Sequence, residues 1–248
     1  MKGMKREYHL TIHNPDGPME VFFAQAEATE PAPCAILYMD VFGLREELYD
    51  LARAFAADGV SAAVPDLFHR LPVSRFEPVN GPNDPIEKAV REANAQTTLK
   101  MSITDTRAVT HWLDLRKVGP RPTHYFAIGY CMGGRHALAA AATLPDRIHG
   151  GMSVHGGRLV TDDANSPHRM IAELRVPFHF ACARDDPTCP SEHCAILQEA
   201  AAKTEAEVTV DIVDAHHGWS FPARWSHDPA VAARLHDLAC RMIHGERR

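Results

Sequence analysis

A cysteine framed by glycines is the strongest chemical signal in this chain. Gly129-Tyr130-Cys131-Met132-Gly133-Gly134 follows an apolar run and leads into the alanine-rich stretch HALAAAAT. In a sharp strand-to-helix turn, a central nucleophile holds a strained backbone position, and the residues two before and two after it must be small so that strand and helix can approach. The pattern G-x-C-x-G arises by chance in roughly 3% of chains this size, and its position between a strand and a helix makes coincidence rarer. The plainer alternative is a glycine-rich turn holding an inert thiol. A dinucleotide-binding loop fits less well, because G-x-x-x-G-G does not match G-x-G-x-x-G. A thiol nucleophile needs a base, and the base needs an orienting group. Both types stand at later strand ends: Arg184-Asp185-Asp186-Pro187 after VPFHFACA (176–183), and Asp214-Ala215-His216-His217-Gly218-Trp219 after EVTVDIV (207–213). Among 16 histidines, only this pair sits where the order nucleophile, acid, histidine requires one.

Those residues need a scaffold of alternating strands and helices. YHLTIH, the turn Asn14-Pro15-Asp16-Gly17 and MEVFFAQA predict an N-terminal antiparallel hairpin. CAILYM (34–39) is a buried strand, followed by a loop at Gly43 and a helix carrying Leu48, Leu51, Ala52 and Phe55 on one face. VSAAVPDLF (60–68) is the next strand, and the proline-rich polar segment 70–85 reads as a long excursion of the kind that lines a site. Helical patterning from about 86, with Leu99, Ile103, Val109, Trp112 and Leu113, predicts one long helix through Arg116. Strands THYFAIG (123–129) and 148–154 follow, then a polar loop from Gly156 to about Ser166. A helix begins at Ser191, and a last one is capped by Asp228 with Pro229 in its first position. The rhythm predicts one α/β domain over residues 1–248, a mostly parallel sheet with helices on both faces.

Composition narrows the function. The 26 basic and 32 acidic residues leave a formal charge of -6 with no cluster of Lys and Arg, which argues against nucleic acid as a partner. No apolar run reaches about 18 residues, and MKGMKREYHL lacks a signal-peptide core, so a cytoplasmic location away from membranes is expected. The six cysteines lie mostly inside apolar runs and read as free thiols. Cys189, His193 and Cys194 do not read as a metal site, because no second ligand pair with zinc spacing accompanies them.

Taken in order, VFG at 41–43, Pro65-Asp66-Leu67-Phe68, GYCMGG at the turn, DDPTCP at 185–190 and HHGW at 216–219 resemble the dienelactone hydrolases, or carboxymethylenebutenolidases, along nearly the whole chain. The resemblance implies an α/β-hydrolase fold and a hydrolase for a small ester or lactone, working without a cofactor through an acyl-cysteine intermediate. It selects Asp186, four residues before Pro190, over Asp185, and His217 over His216 as partners of Cys131. It implies an oxyanion hole from the backbone N–H groups of Met132 and Val41. Asp40 stands where family members carry an activating glutamate and is one methylene shorter, so its reach to Cys131 is in question. Arg224 lies near the place of a family arginine that binds the substrate carboxylate, though the segment WSFPA before it is longer than the family pattern. Arg135 and Arg70 are further candidates for that role, and His155 and Trp219 are candidate neighbours of the substrate.

Two other readings remain at this level. One keeps the triad but acts as a general carboxylesterase or thioesterase. The other is a non-catalytic ligand-binding or thiol redox-sensing protein, against which the presence of acid and histidine in register speaks. A monomer or homodimer is expected.

Overall fold

The computed structural model describes residues 6–27, 30–77, 85–115 and 119–246. Eight strands form one sheet: β1 (Arg6–Asn14), β2 (Gly17–Gln25), β3 (Cys34–Tyr38), β4 (Ser61–Pro65), β5 (Tyr125–Tyr130), β6 (Ile148–Val154), β7 (Phe178–Asp185) and β8 (Val208–His216). Their spatial order is β1-β2-β4-β3-β5-β6-β7-β8. The first two strands run antiparallel to each other, β2 runs antiparallel to β4, and the strands from β4 to β8 are parallel. All residues of β3, β4 and β5 are buried, as continuous apolar strands covered on both faces should be.

The helices are α1 (Glu46–Ala57), α2 (Pro85–Gln96), α3 (Leu99–Asp114), α4 (Gly133–Thr143), α5 (Ser191–Ala201) and α6 (Pro229–His244). Helices α3 and α4 pack together, and α4 and α5 both meet a 3-10 turn at Pro167–Glu173. Away from that layer, α1 and α6 meet through Phe55 and His236, whose rings lie 4.3 Å apart. Asp228 caps α6 by accepting from the N–H groups of Ala230 and Val231 at 3.0 Å. Among the described residues no helix is long and apolar enough to cross a membrane.

Two local expectations are corrected. The single long helix is two, because Thr97 and Thr98 interrupt it: the Thr97 hydroxyl donates back to the Ala93 carbonyl at 2.9 Å, and the Thr98 side chain caps α3 by accepting from the Met101 N–H at 3.3 Å. Such hydroxyls offer the backbone partners other than its own helix. Helix α3 ends at Asp114, and Arg116 lies outside the described residues. The excursion after Arg70 folds back as a brace, with Arg75 bridged to Gly43 and the Phe76 N–H donating to the Phe42 carbonyl at 2.9 Å. Residues 78–84 of that segment lie outside the described residues.

The junction of β5 and α4 is the tightest point of the fold. A Cβ on Gly129 would lie 1.9 Å from the Gly133 carbonyl oxygen, and one on Gly133 would lie 2.2 Å from the Tyr38 carbonyl oxygen. Gly129→Ala should therefore lower unfolding free energy by about 3 kcal/mol, the upper range of overpacking costs. Gly245→Ala, at a helix C-terminus with φ +72 and open space around it, should cost about 1–2 kcal/mol from backbone strain alone. Urea-unfolding midpoints of the two variants check this, and equal shifts would overturn the crowding account.

Candidate active site

Cys131 follows β5 directly and has φ +54, a left-handed conformation uncommon for a residue with a side chain. Three backbone hydrogen bonds hold it there. Its N–H donates to the Val154 carbonyl, and its own carbonyl accepts from the N–H groups of Gly134 and Gly157, each at 3.1 Å. The turn carries Sγ to within 3.1 Å of His217 Nε2. On the other side of the ring, His217 Nδ1 lies 2.6 Å from Asp186 Oδ2. The remaining carboxylate oxygen of Asp186 accepts from the Thr188 N–H at 2.8 Å and from the Thr188 hydroxyl at 2.7 Å. The Ser226 hydroxyl fixes the His217 backbone by donating to its carbonyl at 2.7 Å.

Burial opposes charge on His217, but the Cys131 sulfur and the Asp186 carboxylate outweigh it and raise the imidazole pKa to about 10. Burial likewise pushes Asp186 up, yet the hydrogen bonds from His217 and Thr188 prevail and its pKa falls below the usual carboxylate value. Such a unit can exchange a proton between sulfur and imidazole while the carboxylate holds one ring orientation.

The unit opens on a cavity of about 300 Å³ bordered by Val41, Phe42, Met132, Arg135, Arg158 and Arg224, with α2 closing one side. That volume suits a small ligand. Met132 stands at the start of α4, where backbone N–H groups have no acceptor within the helix. The Arg135 guanidinium donates to Asn94 Oδ1 at 2.6 Å; burial lowers its pKa to about 10, with the nearby Arg158 adding to that effect. Arg224 lies over the Phe42 ring at 4.4 Å.

Asp40 is fully buried, and its described partners are the Arg45 guanidinium at 2.5 and 3.0 Å, the Phe42 N–H at 3.1 Å and Arg224 at 3.6 Å. Its carboxylate thus faces cations and not the Cys131 sulfur. His155 and Trp219 do not border the cavity. Both are buried behind His217, with the His155 ring 5.2 Å from that of His217 and 4.8 Å from that of Trp219. Burial, and then the nearby His217, lower the His155 pKa well below its ordinary value, so it packs as a neutral ring. Arg70 is spent elsewhere, paired with Asp16 and Asp105 at 2.7 Å. The neighbours Asp185 and His216 are exposed and face each other at 3.5 Å. Cys189 and Cys194 approach to 4.0 Å, but the third group beside them is Cys182 and not His193.

Several residues of the site went unread in the sequence. Thr188 had a local signal, since an aspartate often accepts from the N–H two residues on. Asn94 and Arg158 had none, because they reach the cavity from separate elements, and Arg45 had none because it acts on the buried Asp40.

The strand order, the cysteine at the end of β5 and the acid and histidine after β7 and β8 define an α/β-hydrolase fold. Comparison with known proteins narrows this: residues 19–243 match the dienelactone hydrolase family, and the chain belongs to it and is a hydrolase. It is 25% identical over 243 residues to a Salmonella typhi protein named "Putative carboxymethylenebutenolidase", covering 89% of this chain and 86% of that one. Its fold is similar to that of the "Putative Dienelactone Hydrolase" of Klebsiella pneumoniae, with TM-score 0.84, 19% identity and coverage of 99% of this chain and 100% of that one. It is also similar to the "Dienelactone Hydrolase-like Promiscuous" phosphotriesterase P91 from metagenomic libraries, with TM-score 0.74, 20% identity and coverage of 96% and 98%.

The raised histidine pKa generates a measurable expectation. By NMR, His217 should remain an imidazolium from neutral pH to about 10, and Asp186→Asn should move its titration down toward 6.5. Because the folded value lies above the ordinary one, the stabilisation from this group is full below 6.5 and fades as pH rises through about 10. A midpoint near 6.5 in the unaltered protein would overturn the charge account.

Proposed function

We propose that this hydrolase cleaves small esters or lactones of the dienelactone type through an acyl-cysteine intermediate. The observation that carries the reading is the unbroken contact from Cys131 Sγ through His217 to Asp186 at the floor of the cavity. With the proton already held on His217 Nε2, the Cys131 sulfur attacks the carbonyl carbon. The N–H groups of Met132 and Val41 receive the developing oxyanion, where fixed donors act strongly because they need no reorganisation. The tetrahedral adduct collapses, the C–O bond breaks, and His217 protonates the departing oxygen. Water then attacks the thioester with His217 as base, which releases the acid and restores the thiol. Asp186 holds one tautomer of the imidazole throughout.

The cavity wall supports an anionic substrate. Among the described residues no carboxylate pairs with Arg135 or Arg158, both on this wall, and Arg224 leans on a single carboxylate that Arg45 already engages. In this reading Asp40 positions Arg224 and leaves proton transfer to His217.

Cys131→Ala should abolish ester and lactone turnover in a protein that stays folded, and substrate should protect Cys131 from alkylation. His217→Ala and Asp186→Asn should each lower kcat by orders of magnitude, whereas the exposed His216→Ala and Asp185→Asn should be mild. Steady-state kinetics on the five variants check this, and near-normal rates in Cys131→Ala would remove the mechanism. Losses falling on His216 or Asp185 would shift the register by one. The Cys131 and His217 effects should not add, since the two act as a unit.

If Arg135 or Arg224 binds a carboxylate, small anionic lactones should show kcat/KM on the order of tenfold to a hundredfold above their neutral methyl esters, as a charge-assisted hydrogen bond of roughly 1.5–3 kcal/mol requires. The preference should shrink with salt and vanish in Arg135→Gln or Arg224→Gln. Equal rates across a panel of anionic and neutral esters would move the assignment to a general carboxylesterase or thioesterase.

A further inference from the structure

Directly beyond Asp186 the chain gathers three thiols that the hydrolytic reading does not use. Cys182 lies on β7, Cys189 in the loop after it, and Cys194 in the first turn of α5. Their sulfurs all lie within 4.8 Å of one another, and each residue is at most 2% exposed. None is in a disulfide. Three convergent soft ligands in a pocket sealed from water form a coordination set. Buried cysteines that only fill space have no reason to point their sulfurs at one another.

We propose that Cys182, Cys189 and Cys194 form a three-sulfur site for a single soft metal ion, monovalent copper. Thiolates select soft ions. A metal–thiolate bond of about 2.3 Å sets sulfur edges of about 4.0 Å in a trigonal plane and about 3.8 Å in a tetrahedron. The Cys189 and Cys194 sulfurs already stand 4.0 Å apart, and side-chain rotation brings in Cys182. Structural zinc takes four ligands. Among the described residues, no histidine, carboxylate or further cysteine completes this group, and His193 stays outside it. Three-coordinate monovalent copper needs no fourth.

Cys194 sits in the first turn of α5, where the helix dipole favours negative charge. Binding consumes one copper ion and three thiols and releases three protons to solvent, with no change of oxidation state. Affinity should therefore rise with pH. Cys189 stands in the five-residue loop between β7 and α5, in which Pro187 and Thr188 are exposed, so entry requires only local opening of that loop.

The test uses the full chain, reduced and kept free of oxygen, with Cys131→Ala so that the candidate nucleophile contributes nothing. Monovalent copper is supplied as its coloured bicinchoninate complex, and transfer to protein is read as loss of colour. One ion per chain is expected. Cys182→Ser, Cys189→Ser and Cys194→Ser should each weaken the affinity at least tenfold, and Cys34→Ser and Cys240→Ser should leave it unchanged. The last control covers the second cluster of Asp58, His236 and Cys240 on the surface. X-ray absorption of the loaded chain, which needs none of the buried serine variants to fold, should show three sulfur neighbours at about 2.3 Å. Copper left with the chelator, equal binding in the serine variants, fewer than three sulfur neighbours, or displacement of copper by equimolar zinc would each overturn the proposal.

Discussion

The site rests on one crowded crossing, where β5 ends, Cys131 turns and α4 begins. A residue with a Cβ at φ +54 carries strain on the order of 1–3 kcal/mol, which persists only where the surroundings impose it. Here the surroundings are backbone: three main-chain hydrogen bonds to Cys131, and glycines so close to neighbouring carbonyls that no side chain fits. Because β3 and β6 flank β5 in the sheet, the same crossing also places the loop after β3 and the strand end of β6 around the sulfur. Val41 and Gly157 consequently border one cavity although more than a hundred residues separate them.

Charge is arranged in two layers around that crossing. Nearest the sulfur, His217 and Asp186 form a hydrogen-bonded pair in which each raises the other's preference for the ionised form, enough to outweigh burial. Farther out, Asp40 is a buried carboxylate whose desolvation is offset by Arg45, by a backbone N–H and by the proximity of Arg224. Removing one member of such a group leaves an uncompensated buried charge. The aromatic rings of Phe42 and Phe221 lie under these guanidiniums at 4.4 and 4.5 Å, which restricts their motion without neutralising them.

What could be read in the sequence follows from how local each signal is. The strand read at 34–39 was legible to within one residue, because a buried parallel strand is a short apolar run. The cap at Asp228 and the turn at Cys131 were legible for the same reason: each is defined within a few residues. The break at Thr97 and Thr98 was not, because apolar periodicity continues across it while the hydroxyls redirect the backbone. Asp40 was legible as a candidate, but its orientation was not, since Arg45 and Arg224 arrive from different parts of the fold. His155, a candidate from its place at a strand end, and Trp219, a candidate from its place beside His217, are both buried in the core and absent from the cavity wall. Cys189 and Cys194 were legible as neighbours in sequence, but Cys182 was not, since it comes from the preceding strand.

The adjacent pairs Asp185-Asp186 and His216-His217 show what sheet geometry adds to composition. Neighbouring residues in an extended chain point to opposite faces, so only one of each pair can face a given site. Ladder pairing aligns Asp185 with His216 across β7 and β8 at the last paired position. Both are exposed and meet each other in solvent. One residue further on, Asp186 and His217 therefore turn inward together. The register shift between Ala183 and Asp185 adds one residue on the β8 side, so that His216 and not Ala215 stands opposite Asp185 and His217 follows beside Asp186. Without that irregularity Asp185 would pair with Ala215, and His216 would fall opposite Asp186. The 2.6 Å contact of His217 with Asp186 is thus a consequence of the extra β8 residue between Val213 and His216 as much as of either side chain.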